Sequence, residues 1–283
     1  MRTVVVIAAL TMREAARRRV LVALAGLTAL LLALSGWGFS RLAAESGGSA
    51  LSTAETRLTA SILLNLVMFG MSLIAALGTA FLAGPTLAGE MESGIALAVL
   101  ARPIRRSTFL VGKWAGLALF GSGFVVLAGL AQCLVVRLTA DYWPPDPATA
   151  LALLAAQTVV LLTLGLLLST AISPMASGVV AVGLFGATWI AGVVGGIGAS
   201  LDNDAVARVG TVSRLLLPTD GLWRAAMRGF QDPTALVAFG GEDAAAFPFL
   251  SRSPITSGYA LWTLGWLVLV GLVTMRVFER RDL

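Results

Sequence analysis

The sequence predicts an all-α integral membrane protein with six transmembrane helices, and three observations predict it. Of 283 residues, 58% are hydrophobic and only 12% charged, with a mean hydropathy of +0.90; a water-soluble domain carries about 25% charged residues. Six apolar runs, 20–39, 58–82, 114–136, 148–172, 175–199 and 259–275, divide the chain. As helices rising about 1.5 Å per residue, the second and third of these are each long enough to cross roughly 30 Å of hydrocarbon. The charges gather at the ends of these runs, and no acidic or basic residue falls in the middle of one.

The same composition excludes several classes. A net charge of +5 would suggest nucleic acid in a soluble protein, but basic residues at the ends of apolar spans answer to anionic lipid and to insertion rules, so membrane lipid is a partner and nucleic acid is not. The single cysteine, Cys133, lies inside an apolar run, which leaves no intrachain disulfide and no redox motif. With no histidine, His-based zinc sites and Ser-His or Cys-His triads are absent. Span interiors free of carboxylates and ammonium groups weaken a proton relay or sodium site, and with it ion-coupled transport.

Taken in order, residues 1–19 begin like a signal peptide, with Arg2 before the apolar 4–10. Arg17, Arg18 and Arg19 follow where a small-residue cleavage site would stand, so the segment is expected to be retained. Glu14 and Arg18 pair at i, i+4 and Arg13 and Arg17 align, while Val5, Ala9, Met12 and Ala16 lie on another side. An amphipathic helix lying in the interface follows. The first crossing, 20–39, carries Trp37 near its far end, and 41–57 is a Gly/Ser-rich loop leading to the second crossing.

Residues 84–113 form the longest charged interruption between strongly apolar runs in the first half of the chain. Glu90 and Glu92 come first, then an apolar patch with Ile95, Leu97 and Leu100, then Arg102, Arg105 and Arg106. Pro103 breaks the helix before Ser107 restarts one, so this stretch reads as a short helix outside the bilayer. The third crossing lies between Lys113 and Arg137, and 139–147, with Tyr142, Trp143 and three prolines, suits an outer interface. Ser173 and Pro174 make a tight turn between the fourth and fifth crossings.

The long segment 200–257 is expected on the outer side. In it Val206, Val209, Val212 and Leu216 recur at helical spacing before Pro218, and Trp223, Met227 and Phe230 follow, with Arg224 and Arg228 at i, i+4. Two short amphipathic helices are predicted. They serve either as an outer gate or dock for an extracytoplasmic partner, or as interfacial helices whose arginines reach lipid phosphates.

Six crossings put both termini on one side. The amino-terminal segment, the 84–113 stretch and the tail hold twelve of the twenty Lys/Arg and five of the fifteen acids, a balance of +7 against −2 on the other side. By the positive-inside rule both termini are cytoplasmic. The spans hold Asn65, Gln132 and Gln157, expected toward the outer half of crossings two, three and four; they either line a pathway or join helices by hydrogen bonds worth roughly 0.6–2 kcal/mol each. Small residues at four-residue spacing, Ala76/Ala80/Gly84, Gly112/Gly116 and Gly192/Gly196, mark faces where backbones approach within the chain or between copies. No G-x-x-x-x-G-K-[ST] occurs and the only lysine, Lys113, precedes Trp114, so the chain has no nucleotide site of its own, performs no covalent chemistry, and carries no expected metal or cofactor.

The order Glu90, Ser93 and Gly94, an apolar run, Pro103, Arg106, then Gly112 and Lys113 resembles the loop between the second and third membrane helices of type-2 ABC transporter permeases, the family that includes NosY. The amphipathic start with its arginine cluster and the run from Leu217 through Pro218 and Thr219 to Asp220 are similar too. The resemblance implies a single permease domain over 1–283, with 1–19 as the interfacial helix, 85–107 as the coupling loop and 200–257 as the extracytoplasmic segment. It implies that a coupling helix bearing Glu90, Glu92, Ile95, Leu97, Leu100, Arg105 and Arg106 meets a separate ABC ATPase subunit, which holds the ATP and magnesium. A second permease copy or paralogue would complete a dimer, acting as an exporter in a bacterial-type cytoplasmic membrane. The rival from another class is a non-transporting membrane scaffold whose outer segment binds an assembly partner.

Overall fold

In hydrocarbon a backbone has no water to satisfy its N–H and C=O groups, so long uncharged runs have the helix as their one self-sufficient form. A computed structural model of the chain describes residues 2–45, 54–92, 105–233, 247–251 and 254–280. Among them all regular structure is helical: α1 (Arg2–Arg17), α2 (Arg19–Glu45), α3 (Ala54–Glu92), α4 (Arg106–Ala140), α5 (Pro147–Ser169), α6 (Pro174–Ser200), α7 (Asp204–Leu216), α8 (Thr219–Phe230) and α9 (Ser257–Arg280). Six of these, α2 to α6 and α9, are long and apolar enough to cross a membrane.

Local chemistry sets several boundaries. Asp146 caps α5 by accepting from Thr149 N at 3.2 Å, with Pro147 in its first turn, and Asn203 caps α7 by accepting from Val206 N at 3.2 Å. Asp141 ends α4 in the left-handed region at φ 48°, a conformation its short polar side chain tolerates. Pro174 opens α6 where the sequence places it. Other helices outrun their apolar runs. α2 continues to Glu45, carrying Arg41 over the Trp37 ring at 5.8 Å. α3 continues through Pro85 to Glu92, and α4 begins at Arg106 instead of Trp114. The expected 84–113 interruption therefore narrows to about a dozen residues, because nothing between Pro85 and Glu92 or between Arg106 and Lys113 breaks a helix. At 35 residues, α4 is about 50 Å long and exceeds the hydrocarbon thickness by several turns.

Helix α5 sits at the centre, packed by α3, α4, α6, α8 and α9. Its Leu154, Val160, Leu162 and Leu166 are fully buried, whereas α2 and α9 lie at the rim with Val22, Leu30 and Leu34, or Leu261, Leu264 and Val268, turned outward. Such outward leucines suit lipid. Contact between helices runs through small residues instead. A Cβ at Gly84 would overlap the Pro174 carbonyl, and one at Gly195 would stand 2.6 Å from Gly210 Cα. The Ala80/Gly84 and Gly112/Gly116 faces are thus filled within this chain, by α6 and α1 respectively.

The α7–α8 hairpin does not lie flat across the bundle. Gly229, near the end of α8, accepts from Asp146 N at 3.0 Å, beside the start of α5. Thr219, at the start of α8, accepts from Gln157 Nε2 at 3.3 Å, ten residues further along α5. That interval is about 15 Å of helix, so the tip of the hairpin reaches roughly half a bilayer's depth below the Pro147 end. Trp223, Met227 and Phe230 anchor it, all buried as their spacing predicts. Val209, Val212 and Leu216 are exposed: the buried face of α7 is the small one, Gly210 set against Gly195.

Candidate functional site

Two polar constellations interrupt this apolar body, one at the end where α1 and α9 meet the start of α4, the other at the tip of the hairpin. The first begins with the glycines of α4. Gly112 and Gly116 lack the Cβ that would strike Ile7, Val4 O or Ala8 O, so α1 lies directly on their backbone. Its buried face is therefore Ile7, Thr11 and Ala15, while Val5, Ala9 and Ala16 are exposed. The expected interfacial helix is docked on α4 by a different side from its valine-rich one.

This docking encloses a charge. Lys113, which marks the edge of the third apolar run, is only 8% exposed in its side chain, and Glu14 Oε2 lies 3.4 Å from its Nζ. Arg18 Nη2 holds the other carboxylate oxygen, Glu14 Oε1, at 2.6 Å, and the Phe109 ring lies 5.7 Å from the ammonium. Burial alone would raise the Glu14 pKa; hydrogen bonds and charge from Arg18 and Lys113 outweigh it and bring the value below the ordinary one. A depressed carboxylate contributes stability that is fully present above the usual glutamate range and is lost as pH falls through the depressed value. Acidification into that window is expected to loosen α1, read as faster cleavage within α1 by pepsin, which is active at such pH, and Glu14→Gln should flatten that pH dependence. Because Glu14 is partly exposed, the effect is a modest one.

Nearby, Arg106 Nη1 donates to Glu279 O at 3.1 Å, and the Phe109 and Phe278 rings stack with centroids 6.3 Å apart. The start of α4, the end of α9 and the docked α1 thus share one end of the bundle. Of the residues expected to couple to an ATPase, Arg106 is in that corner and Arg105 is exposed beside it. Glu90 and Glu92 lie on the last turn of α3. Ile95, Leu97 and Leu100, with the short helix expected there, lie outside the described residues.

Asn65, Gln132 and Gln157 are buried, and each bonds a different neighbour. Asn65 Nδ2 donates to Phe249 O at 2.9 Å, Gln132 Nε2 donates to Ser35 Oγ on α2, and Gln157 Oε1 accepts from Ser72 Oγ at 2.9 Å while its Nε2 donates to Thr219 O. Those of Gln132 and Gln157 join helices and that of Asn65 ties α3 to the 247–251 segment, and they do not bring the three residues together on one surface. Gln157 alone belongs to the hairpin tip.

The tip holds what the sequence reading did not assemble. Asp220 is fully buried, and its Oδ2 accepts from Arg214 Nε and Arg224 Nε, both at 3.0 Å, while Oδ1 has no partner. Thr219 Oγ1 and Thr188 Oγ1 bond at 2.9 Å beside it, and Gly192 leaves the room that a Cβ would take from the carboxylate. Three α9 groups seal the turn: Tyr259 OH donates to Arg214 O at 3.2 Å, Trp262 Nε1 to Leu215 O at 3.2 Å and Trp266 Nε1 to Leu216 O at 2.8 Å. The signal in the sequence is Asp220 and Arg224 at i, i+4, which competes with the equal spacing of Arg224 and Arg228. Between α4 and α5, at the opposite end of the bundle from α1, Tyr142 plays a similar part. Burial pushes its phenol up to about 12, so it stays a neutral donor, bonding Phe230 O at 2.9 Å.

No described group of three or more Cys, Asp or Glu side chains is arranged to hold a metal ion. What the arrangement can do is mechanical: a charged hairpin is clamped among the spans at one end, and an amphipathic helix is clamped on α4 at the other. A family model described as ABC-2 family transporter protein matches residues 5–283. No curated protein matches the chain.

Proposed function

Because the chain belongs to the ABC-2 transporter family, as a membrane permease subunit of an ABC transporter, we propose that it forms half of an export pathway and couples it to a separate ABC ATPase through the segment between α3 and α4. The observation that carries this reading is the match over nearly the whole chain, joined to the gathering of α1, the end of α3, the start of α4 and the end of α9 at one end of the bundle. That end holds most of the Lys/Arg, and the positive-inside rule makes it cytoplasmic, where an ATPase would be. A second copy or a paralogue supplies the other half of the pathway, since a six-helix half needs a second half to enclose a route across the membrane.

In this reading the long α3 and α4 act as levers. Both extend beyond their apolar runs, so a partner that closes on the 93–105 connection moves two spans directly, and α1 moves with α4 because Lys113 and the glycine face hold it there. ATP and magnesium belong to the partner, and this chain contributes apolar docking side chains. Fully burying one such side chain is worth roughly 1.5–3 kcal/mol, and a charge in its place adds desolvation cost.

Leu97→Arg and Leu100→Arg are therefore expected to reach the membrane at normal levels yet weaken ATPase co-purification more than tenfold and abolish transport. Charge reversal at Glu90 should act more mildly, since a surface ion pair contributes about 0–1 kcal/mol. If both leucine variants retained a stoichiometric ATPase complex, coupling through this segment would be excluded.

A further inference from the structure

The two arginines at the hairpin tip hold more charge and more donors than Asp220 takes up. Arg214 and Arg224 both give Nε at 3.0 Å to the same oxygen, Oδ2, while Oδ1 has no partner, so neither guanidinium makes the two-bond fork that a carboxylate can accept. No other described residue accepts from either one. The polar groups bonded around them, on Thr188, Thr219, Gln157 and Tyr259, are uncharged. Among the described residues the tip thus carries one positive charge beyond its acid, roughly half a bilayer's depth below the Pro147 end, where an ionised group is costly and marks a site. Asp220 is sealed, but Arg214 is 29% exposed and Arg224 11%, so a ligand reaches the guanidinium groups and not the carboxylate. One turn away toward the Pro147 end, Thr211 on α7 and Arg228 on α8 are exposed and give the approach polar walls.

We propose that Arg214 and Arg224 bind a phosphate monoester or free phosphate between their guanidinium groups. A carboxylate ligand has two oxygens and fills one fork. A phosphate monoester has three terminal oxygens and close to two negative charges, enough to meet both forks and to neutralise the surplus charge. Arg228, one turn along α8 from Arg224, adds a further cation on the approach. Asp220 then has a second role besides holding the hairpin: it keeps two like charges side by side, which would otherwise repel.

The test is thermal melting of the full-length chain in dodecyl maltoside with inorganic phosphate, palmitoyl-oleoyl phosphatidate or the matching diacylglycerol. Phosphatidate should raise the melting temperature, and diacylglycerol, with the same tails and no phosphate, should not. A rise with inorganic phosphate as well assigns the site to the free ion's chemistry, and a rise with phosphatidate alone assigns it to a lipid headgroup. Arg214→Lys and Arg224→Lys keep a charge opposite Asp220 and lose the fork. Each should raise the concentration for half-maximal shift about tenfold or more. The shift is read from each variant's own unliganded melting temperature, so a weaker fold does not hide the result. Arg17→Lys, on the exposed side of α1, should leave the response unchanged and so separates this site from the other basic surfaces. The proposal is overturned by an equal shift with diacylglycerol or by no shift with either phosphate compound. A response indifferent to both hairpin variants, or as sensitive to Arg17→Lys, overturns it too. None of these readouts depends on an ATPase or on transport.

Discussion

Asp220→Asn is expected to destabilise the chain by about 3 kcal/mol, one of the two largest effects the structure implies. The substitution keeps the side chain's shape and removes its charge, so Arg214 and Arg224 lose the carboxylate oxygen that each meets at 3.0 Å. Breaking a buried ion pair from one side costs about 3–5 kcal/mol because the remaining charge is stranded. Arg224 is 11% exposed and Arg214 29%, so Arg214 recovers some solvation and the lower figure applies. Thermal unfolding of the detergent-solubilised chain should show it, and pairing Asp220→Asn with Arg224→Gln should recover part of the loss, since the double variant strands one charge fewer. Unchanged melting in the single variant would mean that water or lipid phosphate already serves these arginines.

That triad also explains why the hairpin was only half legible in the sequence. The spacing of Trp223, Met227 and Phe230 revealed a buried helix face, and the structure buries all three. The spacing of Val206, Val209, Val212 and Leu216 revealed a helix but suggested the wrong face, because a chain surrounded by lipid can present its valines outward and pack by its glycines. In a soluble protein the same stripe would mark the core. The six crossings were plain for a related reason: their signal is bulk apolar length, which does not depend on which side faces in.

Charges misled at span edges for a similar cause. Lys113 ends an apolar run and so read as a boundary, yet α4 begins a full two turns earlier and the lysine is enclosed by Glu14 from a helix 99 residues away in sequence. The polar span residues show the same limit. Gln132 and Gln157 stood out as buried amides, but their partners Ser35, Ser72 and Thr219 are ordinary residues, and only the folded backbone selects them. Chemistry was readable one residue at a time, pairing only in three dimensions.

The second large effect is expected from Gly116→Val, which should release α1 from α4. A Cβ at residue 116 would lie 2.6 Å from Ala8 O, 2.9 Å from Thr11 Cβ and 3.0 Å from Ala8 Cα. Two of these neighbours are backbone and cannot rotate aside, so α1 must move as a body. Overpacking of this kind costs about 1–3 kcal/mol. Once α1 shifts, Lys113 also loses Glu14 while still facing Phe109, and a buried ammonium without its carboxylate adds a desolvation penalty to the strain. The variant should expose Arg13, Arg17, Arg18 and Arg19 to trypsin at low protease and should lower the melting temperature. Gly123→Val is the matched control on the same helix, because a Cβ there meets nothing within 4 Å, and its α1 should stay protected. If Gly116→Val left α1 as resistant as the wild type, the helix would be held by the membrane surface instead of by α4, and the lever that joins α1 to the coupling segment would be lost with it.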